Sequence, residues 1–405
     1  MTTAVPGWLV PVVAIFVLQT TASFLARFIP IIAPAVSEEF GWSGSSIGYL
    51  TAANSLGGLA ILVVGSVLFK LIGGMRTLQL CLLLGAASMV FFLHPSMVIV
   101  LAACFIMGLG NGAANPAGSE VLQRFSPPGN RNLIFSIKQA GVPLGGAIAG
   151  LLIPVMVGLV GWRTALFVCM LLVMLPTFVT WRISARCDEP RTSKPWRFSM
   201  PGLSSLHALW VPLQSLQSNA GLLRMSIVGS LFAVSQSCWF TFTVIYLIDR
   251  LGFSLGVAGA VFAVMQAGGV IGRVMLGWLS DHLRSATLSL ALAAILSALT
   301  TVMLGMSSPD WPTWTIVLLA FVAGGSAASW NGVQIAEVAR RSPPNLISET
   351  AAGASILVGI VNMLVPTAFA VFVAFSGHYD YAFIMVGAST LLVLVFLPRN
   401  VQATP

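Results

Sequence analysis

Charged residues are scarce in this sequence. Asp, Glu, Lys and Arg make up 7% of its 405 residues and hydrophobic residues make up 57%, whereas an ordinary soluble domain carries about 25% charged residues. This composition excludes a soluble globular fold, which could not bury so much apolar surface. A membrane-spanning helix needs about 20 largely apolar residues, and such runs recur along the whole chain. We therefore predict an all-helical, multi-pass protein of a lipid bilayer.

The sequence also lacks the motifs of enzymes and metal proteins. It contains no nucleotide-binding loop, no nucleophile motif and no His or Cys cluster with metal-ligand spacing. Its five cysteines are odd in number and lie mostly inside apolar runs, so we interpret them as packing residues and not as a disulfide framework. We expect no enzyme activity, no cofactor and no metal.

The basic residues lie mostly between the apolar runs. The formal net charge is +8, but this distribution is typical of membrane topology, and we expect no nucleic-acid partner. Loops rich in Lys and Arg stay in the cytoplasm because these residues resist translocation. The side that holds both termini and the long central loop carries Lys70, Arg76, Arg124, Arg131, Arg186, Arg191, Lys194, Arg197, Arg284, Arg340, Arg341 and Arg399. We predict a protein of the cell membrane, in bacteria the inner membrane, with both termini in the cytoplasm.

Twelve apolar runs predict twelve membrane helices. We place them near residues 8–34, 45–69, 77–94, 97–122, 133–158, 163–183, 222–248, 256–279, 286–306, 313–338, 349–376 and 380–398. The one long connection is rich in Arg, Lys and Pro, and it divides the helices six and six. We predict an N-terminal six-helix bundle over residues 1–184, a cytoplasmic linker over 185–221 and a C-terminal six-helix bundle over 222–405.

The two halves of the chain repeat each other. A shift of 211 residues places Gly41, Ser43, Gly48, Ala52, Gly57 and Gly58 on Gly252, Ser254, Gly259, Ala263, Gly268 and Gly269. A shift of 216 residues places Gly108, Asn115, Arg124, Ser126, Pro127 and Pro128 on Gly324, Asn331, Arg340, Ser342, Pro343 and Pro344. Small residues are common wherever membrane helices pack, but the matched Asn, Arg and Ser-Pro-Pro favour a true repeat. Units of six helices enter the membrane in the same orientation, so the repeats are parallel.

One loop carries a family resemblance. The segment Gly277-Trp-Leu-Ser-Asp281-His-Leu-Arg284 resembles the signature that the major facilitator superfamily carries at the cytoplasmic end of its eighth helix. The similarity covers essentially the whole chain and implies the major facilitator fold, with twelve transmembrane helices in two six-helix parallel-repeat bundles. In the family, the Asp of this signature caps a neighbouring helix and latches one conformation. The resemblance therefore implies a latch role for Gly277, Asp281 and Arg284.

The matching loop of the first half departs from this signature. Gly65, Gly73 and Arg76 are retained, but the Asp is missing, because Phe69 or Lys70 stands in its place. We expect the three retained residues to contribute to a latch that is weaker or differently built.

Two further patterns separate branches of the family. Drug/proton antiporters carry an Arg four residues before a Gly in the fourth helix, where this chain has Cys104 before Gly108. By contrast, Gly272-Arg273-Val-Met-Leu-Gly277 is similar to the eighth-helix segment of monocarboxylate transporters and the oxalate/formate antiporter. In those relatives the Arg contacts the substrate carboxylate, which implies the same role for Arg273.

Three basic residues lie more than one turn inside predicted helices, where ionisable side chains are costly and usually face a cavity. We predict that Arg27 and Arg273 bind substrate, because a planar guanidinium matches a carboxylate with two hydrogen bonds. Structural pairing is the alternative for Arg273, and reaching towards the external interface is the alternative for Arg27. Lys138, Glu120 and Glu337 are candidates for coupling. The alternative for Lys138 is that its long stem reaches cytoplasmic water, and the alternative for the two acids is a solvated structural role near a helix end.

Polar and aromatic residues in the other helices complete the predicted site. The resemblance implies that the first, fourth, seventh and tenth helices line a central cavity. The predicted substrate-binding residues besides the two arginines are Gln19, Ser23, Asn115, Gln236, Trp239, Gln266, Trp330, Asn331 and Asn362. Asn and Gln also link membrane helices through ordinary hydrogen bonds, and a Trp near a helix end is often an interface anchor.

This charge pattern predicts the substrate class. Positive charge without a central carboxylate favours an anion, and an anion that enters a cell works against about 2.3 kcal/mol per charge at 100 mV. We predict a secondary active transporter of a small organic anion, a mono- or dicarboxylate, that works by alternating access as a monomer. Its second partner is a proton, in symport, or a counter-anion, in exchange. The alternative is a proton-coupled efflux pump for drugs or metabolites.

Overall fold

The computed structural model describes residues 7–125, 131–188, 210, 212–343 and 346–398. All regular structure in these ranges is helical. Most of the predicted linker lies outside the described residues. The chain forms two compact units, which we call unit 1 (Met1–Gly41 and Ala53–Ser205) and unit 2 (Trp42–Ala52 and Leu206–Pro405).

Unit 1 contains long helices that are apolar on all sides, as expected for segments in lipid. Its helices are α1 (Leu9–Phe40), α2 (Ser46–Ile72), whose first residues belong to unit 2, α3 (Gly74–Ser88), α4 (Met97–Phe125), α5 (Arg131–Val179) and α6 (Trp181–Cys187). The assigned α5 covers two predicted helices, which meet at Gly161. The backbone there has φ of +77°, a conformation that glycine adopts without strain, so the chain changes direction between the two spans.

Unit 2 begins its first three long helices with side-chain caps. Its helices are α7 (Ala220–Asp249), α8 (Leu255–His282), α9 (Ala286–Gly305), α10 (Thr313–Ala327), α11 (Asn331–Arg341), α12 (Ile347–Ser376), α13 (Tyr379–Thr390) and α14 (Leu392–Phe396). The side chains of Asn219, Ser254 and Ser285 accept main-chain N–H groups at the starts of α7, α8 and α9, at 2.8, 3.3 and 3.1 Å. Such caps satisfy donors that a helix start leaves without partners.

The helices account for all twelve predicted runs. Ten helices in the described residues are long and apolar enough to cross a membrane. One of them, Ile137–Val179, contains two predicted spans, and the apolar stretch Ser46–Leu62 of α2 supplies another. The predicted fold class is therefore confirmed.

The packing of α2 on α4 in unit 1 depends on two glycines. A Cβ placed on Gly57 would lie 1.9 Å from the carbonyl oxygen of Phe105, and one on Gly108 would lie 1.9 Å from that of Asn54. No side chain fits at either position, so the two backbones are in contact. Small residues permit this close approach between membrane helices.

Unit 2 repeats these contacts between α8 and α10, at the positions given by the two shifts. A Cβ on Gly268 would lie 2.2 Å from the carbonyl oxygen of Phe321, and one on Gly324 would lie 1.8 Å from that of Met265. Equivalent glycines therefore set the same helix contact in both units, which confirms the parallel repeat.

The run predicted as one helix over 313–338 is interrupted, which corrects that expectation. A turn over residues 328–330 separates α10 from α11. The Ser329 hydroxyl donates to the carbonyl oxygens of Gly269 at 3.1 Å and of Gly324 at 2.8 Å. A hydroxyl that bonds main-chain carbonyls competes with the hydrogen bonds of the helix itself, and this accounts for the break.

Candidate functional site

Lys138 of α5 is the most deeply buried basic side chain among the described residues, at 2% exposure. Its Nζ donates to the main-chain oxygen of Asn115 at 2.9 Å, and it lies 3.4 Å from Asn115 Oδ1 and 3.2 Å from Ser119 Oγ. The lysine stem crosses α4 at Gly118, where a Cβ would lie 2.7 Å from Lys138 Cε. Three uncharged oxygens of α4 therefore contact the amine, and the lysine stem occupies the space that a side chain at Gly118 would fill.

Three predicted site residues lie on α1. Arg27 is half-buried. Ser23 is buried and donates to the carbonyl oxygen of Val142 in α5 at 2.7 Å, so it links two helices of unit 1. Gln19 is also buried, and its Oε1 has no hydrogen-bond partner in the described part of the chain. A buried acceptor in this state is a candidate for contact with a ligand.

In unit 2, Arg273 of α8 lies beside the break between α10 and α11. Its side chain is half-buried, and Nη2 lies 3.5 Å from the carbonyl oxygen of Ala328, at the outer limit of a hydrogen bond. Interrupted membrane helices present main-chain polar groups and commonly form substrate sites in transporters. Two further predicted site residues, Trp330 and Asn331, lie at the same break.

The two predicted site tryptophans are both 1% exposed, but they differ in hydrogen bonding. Trp239 Nε1 donates to Thr301 Oγ1 at 2.9 Å, so its polar atom joins α7 to α9. Trp330 stacks on Phe232 with ring centroids 5.5 Å apart, and its Nε1 has no hydrogen-bond partner within the described ranges. Of the two, Trp330 has the donor that a ligand could still use.

The remaining predicted polar residues are spread over both units. Asn115 is exposed on α4 while its oxygens contact Lys138. Gln236 of α7 and Gln266 of α8 are buried, and Asn362 of α12 is half-buried. Each lies on the helix where the sequence places it.

The two acidic coupling candidates lie near helix ends. Glu337 of α11 is buried and pairs with Arg340 at 2.7 Å and with Arg341 at 3.0 Å. Glu120 of α4 lies close to the start of α3, since a Cβ on Gly74 would be 2.7 Å from its Oε2. These contacts give Glu337 two arginine partners on its own helix and place Glu120 against a helix start.

Two further ion pairs connect helix ends, one in unit 1 and one in unit 2. In unit 1, Glu39 at the end of α1 accepts from Trp162 Nε1 at 2.6 Å and pairs with Arg163. In unit 2, Arg250 after α7 pairs with Asp380 in the first turn of α13. These carboxylates are therefore occupied at helix ends and do not enter the helix interiors.

A carboxylate that sequence reasoning missed caps the start of α3. Asp188, directly after α6, accepts from the main-chain N–H groups of Met75 at 3.2 Å and Arg76 at 3.0 Å. Gly73 has φ of +107°, and a Cβ there would lie 2.0 Å from Asp188 Cγ. A carboxylate at a helix N-terminus satisfies open N–H groups and is attracted by the helix dipole. The start of α3 is thus capped by a carboxylate that directly follows α6 in the sequence.

The chain around Asp188 is also tied to α4. Arg124 Nη1 donates to the carbonyl oxygen of Cys187 at 3.0 Å. Burial raises the pKa of the Cys187 thiol to about 11, and the neighbouring Asp188 charge acts in the same direction. The sequence holds one signal for this cluster, an acidic residue directly after the sixth apolar run, but nothing in the sequence pairs it with Gly73.

The signature loop of unit 2 forms a tight turn between α8 and α9. Asp281 and Arg284 are exposed, and Arg284 has φ of +48°, a conformation uncommon outside glycine. A Cβ on Gly277 would meet no atom within 4 Å. The latch role of this loop stays a prediction, and the surroundings of Gly65, its counterpart in α2, lie outside the described residues.

The sequence matches known transporters over most of its length. Residues 12–366 match the family model described as Major Facilitator Superfamily. An uncharacterized MFS-type transporter of Mycobacterium tuberculosis is 24% identical over 340 residues, which cover 83% of this chain and 73% of the relative. A probable sulfoacetate transporter of Cupriavidus necator is 25% identical over 278 residues, 66% of this chain and 64% of the relative. The 4-hydroxybenzoate transporter of Pseudomonas aeruginosa is 24% identical over 274 residues, which cover 62% of this chain and 61% of the relative.

Solved structures show the same fold. A bacterial homolog of the human lysosomal transporter Spinster, in an inward-facing conformation, has a TM-score of 0.72 at 16% identity and covers 97% of this chain and 95% of its own. The nucleoside transporter NupG, as its D323A mutant, has a TM-score of 0.78 at 13% identity, with coverage of 96% and 99%. At these identities the likeness concerns the fold and not the substrate.

Proposed function

The chain belongs to the major facilitator superfamily, and from that membership we propose that it is a secondary transporter of small organic anions. The observation that carries the proposal is the sign of the charges within the membrane helices. Lys138, Arg27 and Arg273 lie seven or more residues from either end of their helices, whereas the described acidic side chains lie within five residues of a helix end or outside the helices. Charges inside a membrane protein usually mark the path of an ion or a substrate, and positive charge selects an anion.

The chemistry of the relatives supports the same substrate class. Two of them are named for sulfoacetate and 4-hydroxybenzoate, which carry carboxylate or sulfonate groups. A guanidinium binds such planar or trigonal oxyanions with paired, charge-assisted hydrogen bonds. We therefore propose a substrate with one or two acidic groups, and we propose Arg27 of unit 1 and Arg273 of unit 2 as separate candidates for contact with an acidic group.

Transport in proteoliposomes tests this proposal. We expect saturable exchange of labelled 4-hydroxybenzoate or sulfoacetate in vesicles that contain the purified protein, and none in empty vesicles. Uridine serves as the neutral control and ethidium as the cationic control. Expulsion of ethidium without any movement of the acids would overturn the proposal in favour of drug efflux.

The orientation in the membrane is a separate proposal. We propose that the protein lies in the bacterial inner membrane as a monomer with both termini in the cytoplasm, because the basic loops stay on that side. A fluorescent protein that folds only in the cytoplasm, fused to the C-terminus, should fluoresce, whereas a fusion in the loop near Asp310 should not. The reverse pattern would overturn the orientation.

A further inference from the structure

The surroundings of Lys138 suit a group that changes its charge. The side chain is 2% exposed, and the contacts of its Nζ are Asn115 O at 2.9 Å, Asn115 Oδ1 at 3.4 Å and Ser119 Oγ at 3.2 Å. All three are neutral oxygens. A buried amine that served only to support the fold would usually be paired with a carboxylate, and none of the described carboxylates contacts this one.

The charged groups on the packed helices lie elsewhere. Lys138 is packed against α4 and, across Gly118, against Ile15 of α1. On α4, Glu120 lies against the start of α3, and Arg124 bonds the chain after α6. On α1, Arg27 is twelve residues from Ile15, or about 18 Å along the helix at 1.5 Å per residue.

More distant charges on the same helices are similarly removed from the amine. Glu39, at the far end of α1, pairs with Arg163 of α5. Glu38 is its exposed neighbour, and Arg131 of α5 has a side chain outside the described residues. The charge state of Lys138 is therefore not fixed by an ion pair within the described part of unit 1.

The three oxygens can satisfy both protonation states. An ammonium has three N–H donors, and the two Asn115 oxygens and Ser119 Oγ accept one each. A neutral amine has two N–H donors and one lone pair. The Asn115 oxygens can only accept, but the Ser119 hydroxyl can also donate, so rotation of its O–H lets it donate to the lone pair. Ser119 is thus the member of the cluster that makes the neutral amine tolerable.

We propose that Lys138 carries the transported proton, so that uptake of the organic anion is proton symport. On the side where substrate enters, the amine takes a proton from water and forms an N–H bond. On the side where substrate leaves, that N–H bond breaks and the proton forms an O–H bond with a water molecule, in place of the O–H bond of hydronium that broke when the amine was protonated. This inference rests on the proposed anion transport and names its coupling group.

Binding of substrate and binding of the proton must then favour each other. An anion within the protein is attracted by the ammonium and not by the neutral amine, and thermodynamic linkage makes the effect reciprocal. The detergent-solubilised protein should therefore take up protons when 4-hydroxybenzoate is added in weakly buffered solution containing a pH indicator. Lys138 acts as a positioning and coupling residue in this scheme and need not touch the substrate.

Replacement by arginine separates coupling from binding. A guanidinium keeps its charge under all working conditions, whereas a lysine amine in a protein interior can exchange its proton. Lys138→Arg should therefore retain exchange of labelled substrate but lose accumulation driven by a pH gradient. A gradient of one unit can support about tenfold accumulation per proton, and we expect the variant to reach only the level of equilibration.

A second variant covers the case in which the larger guanidinium does not fit beside Gly118. Ser119→Ala is smaller than the native residue and removes the hydroxyl that can donate to the neutral amine. It should shift the pH profile of uptake to lower pH, because the ammonium loses a charge-assisted hydrogen bond, which is stronger than the bond that the neutral amine loses. Arg182→Gln, at an exposed position in α6, is the matched control and should leave accumulation and the pH profile unchanged.

The outcomes distinguish this inference from the proposed function. Absence of any acid transport by the wild-type protein would overturn the proposed function itself. Full gradient-driven accumulation by Lys138→Arg, or an unshifted pH profile in Ser119→Ala, would overturn the role of Lys138 while anion transport stands. Exchange of anions without proton uptake on binding would also overturn it and identify the protein as an exchanger.

Discussion

Units 1 and 2 share one helix contact and then diverge within two helical turns of it. The close pairs Gly57 with Phe105 and Gly268 with Phe321 are equivalent under the repeat. Unit 2 then has Arg273 where the shift of 211 residues places Leu62 in unit 1. The paired helix is continuous in unit 1 as α4, but it is interrupted in unit 2 between α10 and α11.

This difference separates what the fold needs from what the substrate needs. Glycines that set the distance between two helices are kept in both units, because any side chain there would collide with backbone. An arginine beside a broken helix has no such role in packing, and it occurs in one unit alone. The buried cation of unit 1, Lys138, lies on a different helix and is held by a different set of groups.

The largest expected effect comes from removing this asymmetry at Arg273. Arg273→Leu installs the residue that unit 1 has at the equivalent position. Loss of charge-assisted hydrogen bonds worth about 1.5–3 kcal/mol should lower the initial uptake rate of the acid about 10- to 100-fold. The rate is measured in proteoliposomes, with the inserted amount checked by gel.

The equivalent position in unit 1 is the control for that experiment. Leu62→Ala should change the rate by no more than about twofold, as expected for substitutions that touch no special contact. Equal losses in both variants would mean that the position matters for packing, and the contrast between the units would then disappear.

The glycine contacts test the shared part of the comparison. Gly57→Ala in unit 1 and Gly324→Ala in unit 2 should each destabilise the protein by about 1–3 kcal/mol, because the new methyl group forces two backbones apart. Thermal unfolding of the purified variants measures the loss. Gly158→Ala, where a Cβ would meet no atom within 4 Å, should leave the melting temperature unchanged or slightly raised. A strong loss of stability in only one of these two variants would show that the glycine contacts do not contribute equally to the two units.

The sequence was sufficient for the parts of the fold that depend on local signals. Twelve apolar runs can be recognised in the sequence because a helix that crosses a membrane must be long and apolar. The glycines at matched spacing can be recognised because close packing of two helices requires small residues. The break at 328–330 could not be predicted from the sequence. It depends on the hydrogen bond from the Ser329 hydroxyl to the carbonyl oxygen of Gly269, which lies 60 residues away on another helix.

The candidate site also has some residues that the sequence identifies and some partners that it does not. Arg27, Lys138 and Arg273 are visible in the sequence since an ionisable residue inside an apolar run is costly. Their partners are not visible, because Asn115 and Ala328 contact them through main-chain oxygens that no residue type reveals. The capping role of Asp188 could not be predicted for a related reason. The N–H groups that it accepts belong to the start of a helix more than 100 residues earlier in the sequence.

A smaller contrast concerns how the two units begin their third span. In unit 1 the start of α3 is capped by the distant carboxylate of Asp188, whereas in unit 2 the start of α9 is capped by the adjacent hydroxyl of Ser285. Asp188→Ala should cost about 1.5–3 kcal/mol, because two charge-assisted hydrogen bonds are lost. Ser285→Ala should cost about 1 kcal/mol, as for an ordinary N-cap. Thermal unfolding of both variants in the same detergent gives the ranking, and the reverse order would contradict the assigned caps.

The smallest expected effects distinguish the two buried tryptophans of unit 2. Trp239→Phe removes the donor to Thr301 Oγ1 and should lower stability by about 1 kcal/mol. Trp330→Phe removes a donor that has no partner in the described part of the chain, so its melting temperature should change little. Its apparent affinity for the acid should fall, however, because a buried N–H at a helix break is available to a bound anion. Unchanged affinity in Trp330→Phe, measured beside Trp239→Phe as the stability control, would remove Trp330 from the site and leave Arg273 as its main anchor in unit 2.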